Sequence, residues 1–136
     1  MIVVADSLAA WLTALEMARS LRLLLVEDHI DSAELMAELL QTDGHTVAVA
    51  TTASAARSLA SEQVFDVIVS DVGLPDASGY DLMTELRDLY AIKGIAVTGS
   101  GAASDVARAK VAGFSMHLTK PVTLQRLADA LAQIAG

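Results

Sequence analysis

A chain of 136 residues without a single cysteine has the length of one compact domain and excludes disulfides and cysteine-ligated zinc. Hydrophobic residues make up 54 % and aromatic residues only 4 %, so the chain can bury a core but offers no platform for stacking nucleic-acid bases. The formal net charge of −8 repels phosphate backbones and argues against direct nucleic-acid binding, while it suits a site for a divalent cation.

The N-terminal stretch Met1 to Ala5 is apolar but is cut by Asp6 and has no basic residue before it, which does not fit a signal peptide. No uncharged run is long enough to span a membrane, so the expectation is a soluble, cytoplasmic protein. Within residues 1–20, Leu8, Trp11, Leu12, Leu15 and Ala18 share one helical face. This extension is read as an amphipathic helix, either a linker or a docking or dimerisation helix.

From residue 21 onward, five apolar segments alternate with helical ones. Strands are expected at 21–26, 46–51, 66–70, 94–98 and 115–120, the last weaker and stopped by Pro121. The first helix carries an apolar stripe of Ile30, Ala33, Leu35, Met36, Leu39 and Leu40, with Asp31 or Ser32 placed to cap its start and Gly44 just past its end. A short Ala-rich helix covers 53–61. The third, over 78–90, shows Tyr80, Leu82, Met83, Leu86 and Leu89. The fourth covers 104–112 and stops at Gly113. The fifth, over 123–135, shows Leu124, Leu127, Leu131 and Ile134. Strand–helix alternation predicts a doubly wound α/β fold, a parallel sheet with helices on both faces. Ligands of such sheets bind at the carboxyl ends of the strands.

Those ends carry the chemistry. The first strand ends in Glu27 and Asp28, the third in Asp71, the fourth in Thr98 and the fifth in Lys120. Three carboxylates brought together repel one another, and a divalent cation relieves the repulsion. Oxygen-only ligands favour Mg²⁺, and a carboxylate can accept a phosphoryl group. Taken alone, each residue has an ordinary explanation: a solvated strand end, a turn cap, a β-branched strand residue, a surface lysine. Together those explanations leave the shared edge unaccounted for. His29, His45 and His117 lack a metal-ligand spacing, and none is read as a ligand. Gly79 and Gly113 are read as turn glycines, and no P-loop or Gly-x-Gly-x-x-Gly pattern is present.

The runs Leu24 to Asp28, Ser70 to Gly79, Val97-Thr98-Gly99 and Leu118 to Pro121 resemble those of receiver domains of two-component response regulators and hybrid histidine kinases. The resemblance extends from Leu21 to Gly136 and leans toward the hybrid-kinase receivers. It implies a flavodoxin-like five-stranded sheet in the order 2-1-3-4-5. It further implies that Asp71 is the phosphoacceptor and that Asp28, Asp71 and the Gly73 backbone carbonyl hold Mg²⁺, with Glu27 acting through water. Thr98 becomes the switch hydroxyl, Lys120 the partner of the phosphoryl group, and the Lys120–Pro121 peptide cis. The expected partners are a histidine kinase or a histidine phosphotransfer protein. The face of the fourth helix, fifth strand and fifth helix, residues 103–135, is expected to dock a partner or a second copy. His117 departs from the family's usual aromatic three residues before the lysine, which changes the expected coupling to Thr98, and Gly73 brings no side chain to the site. Two other functions fit the same residues: an unphosphorylated pseudo-receiver, and a small Mg²⁺-dependent phosphatase. The latter is disfavoured because the chain has no cap segment or obvious substrate pocket.

Overall fold

The computed structural model describes residues 20–135 and Leu8. The helix expected over residues 1–20 falls, Leu8 and Ser20 apart, outside the described residues. The elements run β1 (Arg22–Val26), α1 (Ile30–Thr42), β2 (Thr46–Ala50), α2 (Ala53–Glu62), β3 (Val67–Asp71), α3 (Gly79–Tyr90), β4 (Lys93–Thr98), α4 (Ala103–Ala112), β5 (Met116–Thr119) and α5 (Leu124–Ala135). The strands form one parallel sheet in the order β2-β1-β3-β4-β5.

The period-2 alternation of a strand explains why these segments read as unbroken apolar runs, since both faces are covered. Leu24, Val26, Ile68 and Ala96 point to one face and pack with α2, α3 and α4 through Ala56, Leu82, Met83, Leu86 and Ala109. Leu23, Leu25, Val67, Val69 and Ile95 point to the other and meet α1 and α5 through Ala37, Leu40, Leu127, Leu131 and Ile134. Burying such an aliphatic side chain stabilises the fold by about 1.5–3 kcal/mol. Gly94 leaves room for Met83: an added Cβ would fall within 2.2 Å of Met83 Sδ.

Two details of the helices differ from the sequence reading. Ile30 and Leu35, expected on the apolar stripe of α1, are 56 % and 59 % exposed. The buried face is Ala33, Ala37 and Leu40, spaced four and three residues apart, and Leu35 lies off it. Leu89 of α3 is likewise exposed. Neither Asp31 nor Ser32 caps α1. The helix begins at Ile30 with His29 at the N-cap and no capping side chain, and Asp31 stands in the first turn, where its charge favours the helix dipole.

The end of α1 follows the sequence signal. Gly44 has φ +101°, and the amides of Gly44 and His45 donate to the carbonyls of Gln41 and Leu40, the paired closure of a helix on a left-handed residue. His45 then accepts the Leu21 amide at Nδ1, 3.1 Å away, tying this turn to the start of β1.

Candidate functional site

The carboxyl edge of the sheet gathers the side chains. The Glu27 amide donates to Ala50 O at 3.0 Å, extending the β1–β2 ladder one residue and fixing where the acidic pair emerges. Asp71 is the last residue of β3, and its Oδ1 accepts the Gly73 amide at 3.1 Å. The Lys120 amide donates to Thr98 O at 2.7 Å, which holds the segment after β5 against β4. The Lys120–Pro121 peptide is cis, as expected from the sequence.

Three groups are in direct register. Lys120 Nζ lies 2.6 Å from Asp71 Oδ2 and 3.7 Å from Glu27 Oε2. The Asp71 carboxylate is only 10 % exposed and that of Glu27 14 %. Burial pushes Glu27 above the usual carboxylate range. Its hydrogen bond to Asp71 and the Asp71 charge push the same way, against His29 and Lys120. Burial also works to raise Asp71, but hydrogen bonds from Lys120, the Gly73 amide and Glu27 together outweigh it and hold Asp71 below its ordinary value. A first proton therefore goes to Glu27, and Asp71 stays ionised. For Lys120, burial alone would lower the pKa, and the carboxylates of Asp71, Glu27 and Asp28 more than reverse it. The lysine remains a cation.

Asp28 meets the group from the side, its Oδ1 3.3 Å from His29 Nδ1. Three acidic side chains face one ammonium, and their donors are all oxygen. That donor chemistry fits Mg²⁺, a hard cation satisfied by one or two carboxylates with other oxygens. Gly73 leaves the approach open: a Cβ there would stand 3.9 Å from Asp71 Oδ1.

Thr98 is the last residue of β4. Its hydroxyl, buried at the end of β4, lies 2.6 Å from Ser100 O and 2.7 Å from His117 Nε2. In this state those two neighbours hold it. His117, on β5, thus reaches Thr98 through a direct hydrogen bond.

Sequence reasoning missed three contributors. Asp76 accepts the amides of Ala53 and Ser54 at 2.8 and 3.0 Å, so the loop after β3 closes the N-terminus of α2. Its Pro-Asp turn was visible, but the helix it serves is 23 residues away. Ser100 supplies the carbonyl for Thr98, a role that no side-chain pattern reveals. Gly79 is more than a turn glycine: an added Cβ would lie 2.4 Å from Asp71 O and 2.6 Å from Val72 Cα. A cleft of about 660 Å³ also opens beside Asp71, between α1 and α5, where no pocket was expected. Most of its walls, Leu25, Met36, Val69, Val97 and Leu127 among them, are apolar, and its polar lining is Glu27, His29, Ser32, Asp71 and Lys120.

A model of the response regulator receiver domain matches residues 23–132. The chain belongs to that family. This receiver domain is 33 % identical over 128 residues to the virulence sensor protein BvgS of Bordetella pertussis, covering 85 % of the present chain and 10 % of BvgS. It is 32 % identical over 114 residues to the sensor histidine kinase RcsC of Salmonella typhi, covering 83 % and 12 %. The chain therefore spans about a tenth of the length of these relatives. Among solved structures, the non-phosphorylated HemR receiver domain of Leptospira biflexa superposes with a TM-score of 0.78 at 29 % identity, covering 85 % of this chain and 94 % of that one. Receiver domains are phosphoacceptors of two-component phosphorelays. Their general features are phosphorylation of an aspartate and use of Mg²⁺ at an acidic pocket, and they exchange signals with histidine kinases or phosphotransfer proteins. Among the described residues, no helix is long and apolar enough to cross a membrane.

Proposed function

We propose that residues 21–136 form one receiver unit that takes a phosphoryl group from a phosphohistidine onto Asp71. The observation that carries this reading is the placement of Asp71 at the end of β3, ionised, with Lys120 Nζ 2.6 Å away and Glu27 alongside. One Asp71 oxygen attacks phosphorus, and the histidine nitrogen leaves with the electrons of the P–N bond. Asp28, Asp71 and the Gly73 carbonyl are the groups to hold Mg²⁺, with Glu27 acting through a water. The bound cation would neutralise charge on the transferring phosphoryl group. Lys120 transfers its ammonium from Asp71 to a phosphoryl oxygen. Thr98 releases Ser100 and His117 to donate to another, and that movement is the switch.

The donor is a histidine kinase or histidine phosphotransfer protein of the cytoplasm. The phosphorylated form controls a partner or a second copy through the face of α4, β5 and α5. The chain does no chemistry beyond assisting its own phosphorylation and dephosphorylation. Residues 1–20 stand as an N-terminal extension to this unit.

The test is incubation with radiolabelled acetyl phosphate and Mg²⁺. The wild type takes up about one acid-stable, alkali-labile equivalent, and Asp71→Asn takes up none. Equal labelling of Asp71→Asn overturns the assignment. Absence of both labelling and Mg²⁺ binding means a pseudo-receiver, and many turnovers on a small phosphomonoester mean a phosphatase.

A further inference from the structure

The edge of the sheet opposite Asp71 carries an apolar hollow that the described residues leave open. It measures about 260 Å³ and lies at the ends of α2 and α3, against Ala60, Val64, Phe65, Tyr90 and Ile92. Ala60 and Ile92 are buried, whereas Val64 is 76 % exposed and Tyr90 47 %. Ligand clefts run to roughly 300–1,000 Å³, so this hollow has the size for one large side chain and not for a free ligand.

The chain enters β1 next to it. The Arg22 amide donates to Asp66 Oδ2 at 2.7 Å, and the Asp66 amide donates to Arg22 O at 2.8 Å. Asp66 directly follows Phe65, and Val67 pairs with Lys93, the residue after Ile92. The Ser20 hydroxyl donates to Gly44 O at 2.8 Å, which fixes the point where residues 1–19 meet the amino edge of the sheet. Those residues are thus tethered beside Val64 and Tyr90, at an effective concentration on the order of millimolar.

Their sequence carries the matching surface. Leu8, Trp11, Leu12 and Leu15 recur at helical spacing. Leu8, the member of this stripe that lies among the described residues, is helical and exposed, so no described residue covers the face there. A helix from Trp11 to Ser20 rises about 14 Å. That exceeds the two strand spacings, about 10 Å, from β1 past β3 to β4. Arg19 is the sole cation of residues 1–20 and follows Leu15 by four residues, on the same face. Glu62, on the wall of the hollow, offers it the opposite charge.

We propose that residues 11–19 dock as a helix across the amino edge of their own chain. The Trp11 indole fills the hollow, Leu12 and Leu15 cover Val64 and Tyr90, and Arg19 stands beside Glu62. The contact closes the edge opposite Asp71 and leaves the acidic site free.

Trp11 is the sole tryptophan, so acrylamide quenching of its fluorescence in the full chain reads the contact directly. Val64→Asp puts a charge on an exposed side chain. It is expected to raise the quenching constant at least about threefold over wild type, because a segment tethered at millimolar effective concentration is mostly docked until its seat is spoiled. Far-ultraviolet circular dichroism should stay unchanged. Tyr90→Ser, also at an exposed side chain, is expected to act in the same direction and serves if Val64→Asp does not fold. Leu35→Asp, exposed on α1, should leave quenching as in wild type. Equal quenching in wild type and in the folded Val64 or Tyr90 variant overturns the docking, as does an equal rise in Leu35→Asp. Protection of Trp11 that disappears on dilution means that a second copy supplies the cover, and the contact within one chain is then wrong.

Discussion

The hydroxyl of Thr98 has one proton to give. With Ser100 O at 2.6 Å as acceptor, the 2.7 Å contact with His117 has imidazole Nε2–H as donor. For Thr98 to turn toward a phosphoryl group, both bonds must break, at a net cost of about 0.5–1.5 kcal/mol each. His117→Ala removes one of them in advance. Binding of beryllofluoride with Mg²⁺, measured by calorimetry, is expected to tighten by about threefold to tenfold. Unchanged or weaker binding would mean that His117 does not restrain Thr98. Glu27 supplies a second prediction at this scale. Burial and Asp71 raise its pKa above the ordinary 4.5, so the fold prefers the protonated form. That contribution is complete below pH 4.5 and is lost as pH rises through the folded value, leaving the charge destabilising at pH 7. Metal-free Glu27→Gln is therefore expected to be more stable than wild type at pH 7, by no more than about 1 kcal/mol given solvent screening. The difference should fade below pH 4.5 in urea unfolding.

At the scale of elements, α3 is seated by a glycine. The Gly79 amide donates to Val72 O at 2.8 Å, and the helix start presses on the Asp71–Val72 backbone with no room for a Cβ. Gly79→Ala meets backbone rather than a flexible side chain, so either α3 or the end of β3 must shift. A loss of about 1–3 kcal/mol is expected in denaturant unfolding, together with weaker Mg²⁺ binding because Asp71 moves with its backbone. Full stability and full Mg²⁺ affinity in Gly79→Ala would remove this role. The ends of the strands were legible in the sequence because a doubly covered parallel strand must be apolar throughout, so the first charged residues after Val26 and Ser70 mark the edge. Glu27, Asp28, Asp71 and Lys120 could be placed together from that alone. The exposed flank of α1 was less legible, because Leu35 is apolar by type and only packing shows that Ala37 holds the buried position. The links from Asp76 to α2 and from Thr98 to Ser100 were illegible, since each joins a side chain to a backbone group whose position is decided by loop geometry.

At the scale of the whole molecule, parallel winding puts every strand's carboxyl end on one edge, and acidic side chains accumulate there in a chain that already carries a net charge of −8. Folding therefore works against a local repulsion that one Lys120 only partly offsets. A cation that binds this edge in the folded state alone must stabilise the whole domain, by about 2.7 kcal/mol at about one hundred times its dissociation constant. For a domain of this size that is a rise in Tm on the order of ten degrees. The rise must depend on pH in a definite direction. The cation needs ionised carboxylates; on acidification Glu27, raised, protonates before Asp71, which is lowered. The Mg²⁺-induced shift in Tm should be full at pH 7, shrink as Glu27 takes its proton, and vanish once Asp71 is neutral, below its ordinary 3.8. Scanning calorimetry with Mg²⁺ against a sodium salt of equal ionic strength measures it. Asp28→Asn is expected to lose most of the shift. If the shift persists in that variant, or survives after Asp71 is protonated, the cation is acting on the overall negative charge and not at the edge where Asp71 stands.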